Sequence, residues 1–164
     1  MHTDDLEIRP SLPHDATTWA EMFYEIHKDP TESCGPFTNE QCQTTAVNYC
    51  GRKNTGADCV LTVFLGGVAS GFIQARKDDP RIGQHGWYIR GVETRPSYRR
   101  RGVARQLVQA IVAQAVQDHC TVYAAISHQN TASIQLFESC GFTRVTDVGK
   151  FSDNTHVFCK RSND

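Results

Sequence analysis

The 164-residue chain lacks any apolar run approaching the roughly 20 residues that a membrane-spanning helix needs. Its opening, MHTDDLEIRP, lacks the basic and apolar regions of a secretory leader. Both absences point to a cytoplasmic protein without a membrane partner. No CxxC pair occurs, and Cys34, Cys42, Cys50, Cys59, Cys120, Cys140 and Cys159 are odd in number, which argues against a closed zinc site. No metal is therefore expected. A reducing compartment keeps such cysteines as thiols, and Cys59, Cys120, Cys140 and Cys159 lie in apolar surroundings where cysteine behaves as a small hydrophobe. Cys34, Cys42 and Cys50 sit in a more polar stretch, where surface thiols or an inter-subunit contact, and with it a homodimer, stay open. Excess positive charge is missing too: a net charge of -1 and a pI near 6.6 offer nucleic acid no general attraction. Internal repeats and low-complexity tracts are absent. With 39% hydrophobic residues the chain suits one core, so residues 1–164 are expected to form a single domain.

What is present reads as alternating strands and helices. Leu6 to Pro10 alternates like a short strand, and Asp15 is placed to cap a helix carrying Trp19, Met22, Phe23 and Ile26 on one face. Thr38 to Asn48 is a weaker helical candidate, with loops expected from Asp29 to Thr38 and from Lys77 to Gly86. Cys59 to Leu65 and Val68 to Ala75 are β-prone runs joined by Gly66-Gly67, a pair suited to a two-residue hairpin turn. A strand over Gly86 to Thr94 precedes a long helix over Arg101 to His119. Val103, Leu107, Ile111 and Ala115 mark its buried stripe, widened by Ala104, Val108, Val112 and Val116. Thr121 to Ile126 follows as a strand, Thr131 to Cys140 as a helix stopped by Gly141, and Phe142 to Val145 with Val157 to Cys159 as closing strands. The fold class is a mixed α/β, or α+β, arrangement around a central sheet.

Charge is unevenly spread. Arg95, Arg99, Arg100, Arg101 and Arg105 fall within eleven residues, whereas Glu21, Glu25, Asp29 and Glu32 gather near the N-terminus. The arginines lie where a strand ends in a proline-bearing turn and enters a helix with no acidic first turn. The first N–H groups of a helix have no internal partner, and with the helix dipole they form a site for phosphate oxygens. Gly102 and the small Ala104 let a diphosphate approach that backbone closely, and the arginines add charge-assisted contacts. A solvated helix start is the alternative for a bare basic cluster.

The sequence departs from the phosphate loops GxxxxGK[ST] and GxGxxG. The spacing RxxGxA at Arg99, Gly102 and Ala104, after Pro96-Ser97-Tyr98, resembles instead the acetyl-CoA-binding motif of the GNAT acetyltransferase family. A second segment, Asn130-Thr-Ala-Ser-Ile-Gln-Leu-Phe-Glu-Ser-Cys-Gly-Phe142, looks like that family's later motif, NxxAxxxYxxxGF, with Ser133 in the alanine place and Phe137 in the tyrosine place. The resemblance implies a mixed, mostly antiparallel sheet splayed between two strands, with helices on both faces. It implies acetyl-CoA as cosubstrate, its pantetheine along the strand edge at Val92 and Thr94. Its pyrophosphate would lie on the turn amides of Arg99, Arg100, Arg101, Gly102, Val103, Ala104 and Arg105, and Asn130, Ser133 and Phe137 would line the cofactor. A helix cap explains Asn130 equally well.

Transfer needs a neutral amine, a stabilised oxyanion and a departing thiolate. Glu93, the carboxylate of the central strand, is the candidate base, with a solvent-facing strand residue as its alternative; His128 is similarly placed beside the second motif. Family tyrosines donate the proton to the thiolate, which Phe137 cannot do, so Tyr98, Tyr123, Ser133 or solvent takes that part. The stretch Gly86-Trp87-Tyr88-Ile89-Arg90-Gly91-Val92 further resembles aminoglycoside 6'-N-acetyltransferases, which carry an acid where Arg90 stands. A small polar amine, an aminoglycoside among them with antibiotic resistance as its consequence, is the expected acceptor. Glu21, Glu25, Asp29, Glu32 and Asp78-Asp79 are the acidic groups that would attract it. Acetylation of a protein N-terminus or lysine, or a non-catalytic acetyl-CoA sensor, are the rival functions.

Overall fold

A computed structural model of the chain describes residues 6–28 and 36–163. Leu6–Arg9 forms β1, and Ala16–His27 forms α1 after a short 3-10 turn. Asn39–Tyr49 is α2, whose Thr38 accepts from the Gln41 amide while the Gln41 side chain returns to the Thr38 N–H, a reciprocal cap at its start. Asp58–Leu65 and Val68–Lys77 are β2 and β3. Gly66 and Gly67, with φ of 57° and 77°, both occupy the left-handed region that a two-residue type I′ hairpin demands. Gly86–Thr94 is β4, Val103–Gln117 is α3, Thr121–Ser127 is β5, Thr131–Ser139 is α4, and Thr143–Val145 and Thr155–Lys160 are β6 and β7.

The strands hydrogen-bond in the order β1-β2-β3-β4-β5-β7-β6. β1 runs antiparallel to β2, and β7 is antiparallel to both β5 and β6, whereas β4 and β5 are parallel. A parallel pair needs a crossover rather than a tight turn, and α3 supplies it. The chain is thus the mixed α/β fold that its sequence implies. Among the described residues, no helix is long and apolar enough to cross a membrane.

Two compact units share these elements, and β2, β3 and β4 each run from one into the other. In the unit holding the described residues of Met1–Asn54, with Val60–Phe72 and Glu93–Ala104, the core gathers Trp19, Met22, Phe23 and Ile26 of α1 with Cys42, Ala46, Cys50, Phe64, Ala69 and Phe72. Trp19 stacks on Phe23 at 5.3 Å and on Tyr49 at 5.1 Å, aromatic pairings that add about 0.5–1.5 kcal/mol each beyond area burial. Two expectations change here. Cys42 and Cys50 are buried, not surface thiols, because Cys42 lies on the inward face of α2 and Cys50, the residue that ends the helix, packs into the same core; burial pushes the Cys50 thiol up to about 11. Cys34, Asp29 and Glu32 lie outside the described residues. Asp15 does not cap α1: its buried carboxylate turns back to Arg9, at 2.6 and 3.1 Å, and to the Leu12 N–H at 2.7 Å. The competing guanidinium wins because a buried charge must be paired.

In the other unit, Ile82, Tyr88 and Val157 form a cluster with Tyr123, Val145, Val148 and Phe151. On α3, Leu107, Val108, Ile111 and Ala115 are buried, but Val116 is 47% exposed. Nine residues beyond Leu107 it points about 180° away at 3.6 residues per turn, so it does not widen the stripe. The helix also starts two residues later than Arg101 and stops before His119, since Gly102 and His119 adopt φ of 79° and 54°.

Candidate active site

β4 and β5 pair over four residues only, from Gly86 opposite Thr121 to Ile89 opposite Ala124. Beyond that point Ala125, Ile126 and Ser127 remain paired to β7, while Arg90, Gly91 and Val92 continue without β5. The two strands part after Ile89, and an edge of backbone opens beside Gly91, where an added Cβ would meet nothing within 4 Å. At the other end Gly86 permits the close approach. With φ of 146°, its Cβ would stand 2.3 Å from the Thr121 carbonyl oxygen.

Downstream in the first unit come Glu93 and Thr94, then Arg95, whose amide donates to the Ser70 carbonyl at 2.9 Å. A 3-10 turn over Pro96–Tyr98 follows, and Glu25 of α1 fastens it. Its carboxylate accepts the Ser97 N–H at 2.9 Å and the Arg95 guanidinium Nε. Burial pushes the Glu25 pKa up, but these hydrogen bonds outweigh it and hold the acid below its ordinary range. Arg95 and Arg101 lie over the Tyr98 ring at 5.8 and 5.1 Å, and Arg99 Nε reaches the Thr94 carbonyl at 3.5 Å. Arg100 and Gly102 are both left-handed, with φ of 63° and 79°, on either side of Arg101, and α3 begins directly after them at Val103. Residues 99–102 are exposed, whereas Val103 anchors the turn in the core and Ala104 is half-buried. A backbone reversed in this way aims successive N–H groups outward, where they can hold an anion together with the unpartnered first amides of α3.

Arg105 behaves differently. Its guanidinium donates to the Ser139 carbonyl at 3.2 Å and hydroxyl at 3.0 Å, tying α3 to the last turn of α4. Asn130 is the N-cap of α4, its Oδ1 accepting the Ser133 N–H at 3.1 Å. Phe137 is buried and meets Phe142 edge-on at 5.0 Å and 88°. The Phe142 N–H donates to the Phe137 carbonyl and the Gly141 N–H to the Glu138 carbonyl, with Gly141 at φ of 87°. This is a Schellman helix stop, whose accompanying apolar contact joins the residues that Phe137 and Phe142 occupy. The sequence Phe-Glu-Ser-Cys-Gly-Phe thus carries a structural duty of its own. Tyr123 is half-buried in the second unit's cluster, and burial raises its hydroxyl pKa. His128 is exposed and uses Nδ1 on the Asn154 carbonyl at 3.0 Å.

Glu93, the sequence-derived base, has a partner that sequence reasoning missed. His27, in the last turn of α1, places Nε2 3.0 Å from Glu93 Oε2; the imidazole is 6% exposed and the carboxylate 34%. The ring lies against Phe23 at 4.2 Å and Phe37 at 5.1 Å. The available signal was position: His27 falls four residues after Phe23, on the same buried stripe of α1.

Of the acids expected to attract a cationic acceptor, Glu25 is bound as described and Asp79 is more deeply committed. It is 1% exposed and accepts Arg81 Nε at 3.1 Å, Arg81 Nη2 at 3.1 Å, the Arg81 amide at 2.9 Å and Arg90 Nε at 2.9 Å. Hydrogen bonds from Arg81, then Arg90, hold its carboxyl well below the usual range against the effect of burial. Asp78 accepts from His85 at 2.8 Å and from the Gly86 N–H at 3.0 Å, closing the loop between β3 and β4.

Residues 19–142 match the model of the Acetyltransferase (GNAT) family. No curated protein matches the chain in sequence. Among solved structures, the chain is similar to an acetyltransferase from Thermus thermophilus, at 19% identity and a TM-score of 0.72 over 98% of this chain and 99% of that one. It is similar to the PaiA N-acetyltransferase of Thermoplasma acidophilum in complex with coenzyme A, at 15% identity and 0.69 over 96% and 99%. YncA of Salmonella typhimurium, solved with its cofactor acetyl-CoA, aligns at 19% identity and 0.69 over 98% and 96%.

Proposed function

The chain belongs to the GNAT acetyltransferase family, and from that premise we propose that it moves the acetyl group of acetyl-coenzyme A to a primary amine of a small polar molecule. The observation that carries this reading is the parting of β4 from β5 after Ile89, followed along the same chain by the exposed left-handed turn at Arg100 and Gly102. A parted strand offers backbone hydrogen bonds to an extended amide-bearing chain, as an added strand would take them, and the turn offers amides to a diphosphate. Along this one stretch of chain, Val92 and Thr94 would border the pantetheine and residues 99–104 would hold the pyrophosphate. The Thermoplasma and Salmonella proteins of this fold are bound to coenzyme A and acetyl-CoA.

In the transfer, the amine nitrogen forms a bond to the thioester carbonyl carbon, the carbon–sulfur bond breaks, and a proton leaves the nitrogen. Glu93 is the base that takes it, directly or through one water, with the His27 Nε2 3.0 Å from its Oε2. Phe137 has no proton to give and is packed into the helix stop, so the thiolate departs to solvent; a thiol with a pKa near about 8.5 makes that step easy.

The test measures acetyl-CoA consumption by the purified chain against a panel of small amines, aminoglycosides and peptides, with coenzyme A affinity followed separately. Glu93→Gln should lower kcat by roughly 10²–10⁴-fold and leave coenzyme A affinity within twofold. Unchanged kcat overturns the base assignment. Tight cofactor binding with transfer to no amine identifies a sensor instead, and a peptide-only profile identifies a protein modifier.

A further inference from the structure

Arg90 of β4 is held by the buried Asp79, and the surroundings of the pair give it a chemical meaning. We infer that Arg90, fixed on the buried Asp79, is a receptor for a carboxylate on the acceptor, so that the favoured acceptors are amino acids or close analogues rather than polycations. The inference rests on the acetyltransferase reading for its turnover and on the geometry alone for its binding.

Asp79 is 1% exposed and its two oxygens are filled by four N–H donors. A carboxylate is buried only when it is paired. Here two guanidiniums share one carboxylate, which leaves the group an excess of one positive charge. Asp78, next in the chain, turns its Oδ1 to His85 and the Gly86 amide and is not bonded to either guanidinium.

The excess charge is shaped as well as present. Arg90 engages Asp79 through Nε alone at 2.9 Å, and among the described residues its two terminal amino groups have no protein acceptor. Its side chain is 28% exposed. A guanidinium held at Nε has a fixed plane, and its remaining edge presents parallel N–H groups that match a carboxylate in a bidentate pair. Arg81, the second cation, is anchored by the same acid and lies over the Tyr88 ring at 4.9 Å, with Phe151 beyond it at 6.2 Å from Tyr88. An apolar aromatic wall thus stands beside the cationic fork.

The fork lies where β4 opens. Arg90 is the first residue of β4 past its last pair with β5. Tyr88 and Arg90 share a strand face, since both meet the Arg81–Asp79 group, and Val92 follows about 7 Å further along.

Two arms test the inference. With coenzyme A present, binding of N-acetyl-L-leucine and of N-acetyl-L-leucinamide is measured by calorimetry; the acid should bind at least tenfold more tightly. In turnover, L-leucine should exceed L-leucinamide in kcat/KM by a similar factor, although the amide has the less basic and therefore more available amine. Arg90→Gln should bring both ratios close to one, and Arg90→Lys should retain part of each, as expected of charge without a fork. Thermal melts establish that the variants are folded. Equal binding of acid and amide to the wild-type chain, binding of neither, or ratios unmoved by Arg90→Gln, overturns the receptor. Selective binding of the acid without any turnover leaves the receptor standing and overturns the acetyltransferase reading.

Discussion

Replacing Gly102 by alanine and by glutamate separates what the backbone requires from what a ligand requires. Gly102 has φ of 79°, while a Cβ built on it meets no atom within 4 Å. Alanine therefore incurs only the left-handed backbone penalty, about 1 kcal/mol, and should lower Tm by roughly 2–4 °C at this chain length. Glutamate incurs the same penalty and adds a carboxylate beside the amides assigned to the pyrophosphate. Two like charges about 5 Å apart repel by about 3 kcal/mol at an effective dielectric near 20, which is roughly a hundredfold in affinity. Calorimetric titration with coenzyme A, beside thermal melts without ligand, checks both effects. The two variants should melt together, with Gly102→Ala losing tenfold or less in affinity and Gly102→Glu a hundredfold or more. Wild-type affinity in Gly102→Glu refutes the phosphate placement. A Gly102→Glu protein that melts well below Gly102→Ala shows that the glycine is structural beyond its φ.

Two further predictions concern the frame around the site. Gly86→Ala forces a Cβ to 2.3 Å from the Thr121 carbonyl at a φ of 146°, so strain and overpacking together should cost about 2–5 kcal/mol by urea denaturation; a loss under about 1 kcal/mol would show that β4 and β5 can readily move apart. Asp15, Glu25 and Asp79 all have lowered folded pKa values, so their stabilisation is present above the unfolded value near about 4 and is lost as pH falls through the folded values. Urea midpoints should accordingly be flat from pH 7 to about 5 and decline below about 4, and a midpoint that rises on acidification contradicts the pairing.

The elements were legible in the sequence wherever their cause is local. Gly66-Gly67 announces its hairpin because positive φ is a property of two adjacent residues, and β4 was bounded correctly at Gly86 and Thr94 by its flanking breakers. Gly141 likewise marked the end of α4. The partners were not legible. Glu25 and Arg95 are 70 residues apart, and Asp79 and Arg90 are 11 apart, so only the folded chain pairs them. Asp15 illustrates the same limit at short range: its position suits an N-cap, yet Arg9 six residues earlier takes the carboxylate. Val116 was misjudged for another reason, because the pattern of apolar residues on α3 is wider than the face the helix buries.

The acidic residues show why unpaired charge, rather than acidic composition, decides what an acceptor meets. Read along the chain, Glu25 and Asp78-Asp79 make an acidic environment that suits a polycation. In the folded protein, Glu25 is spent on Arg95 and the Ser97 amide, and Asp79 on two guanidiniums. Each acid that is satisfied internally ceases to attract at a distance, since its field is offset by a cation a few ångströms away. At Asp79 the offset is more than complete, because Arg81 and Arg90 together carry twice the charge they neutralise. The arginine at position 90 thus acts together with the acid at position 79. That acid is buried and fixes Arg90 at the point where β4 parts from β5.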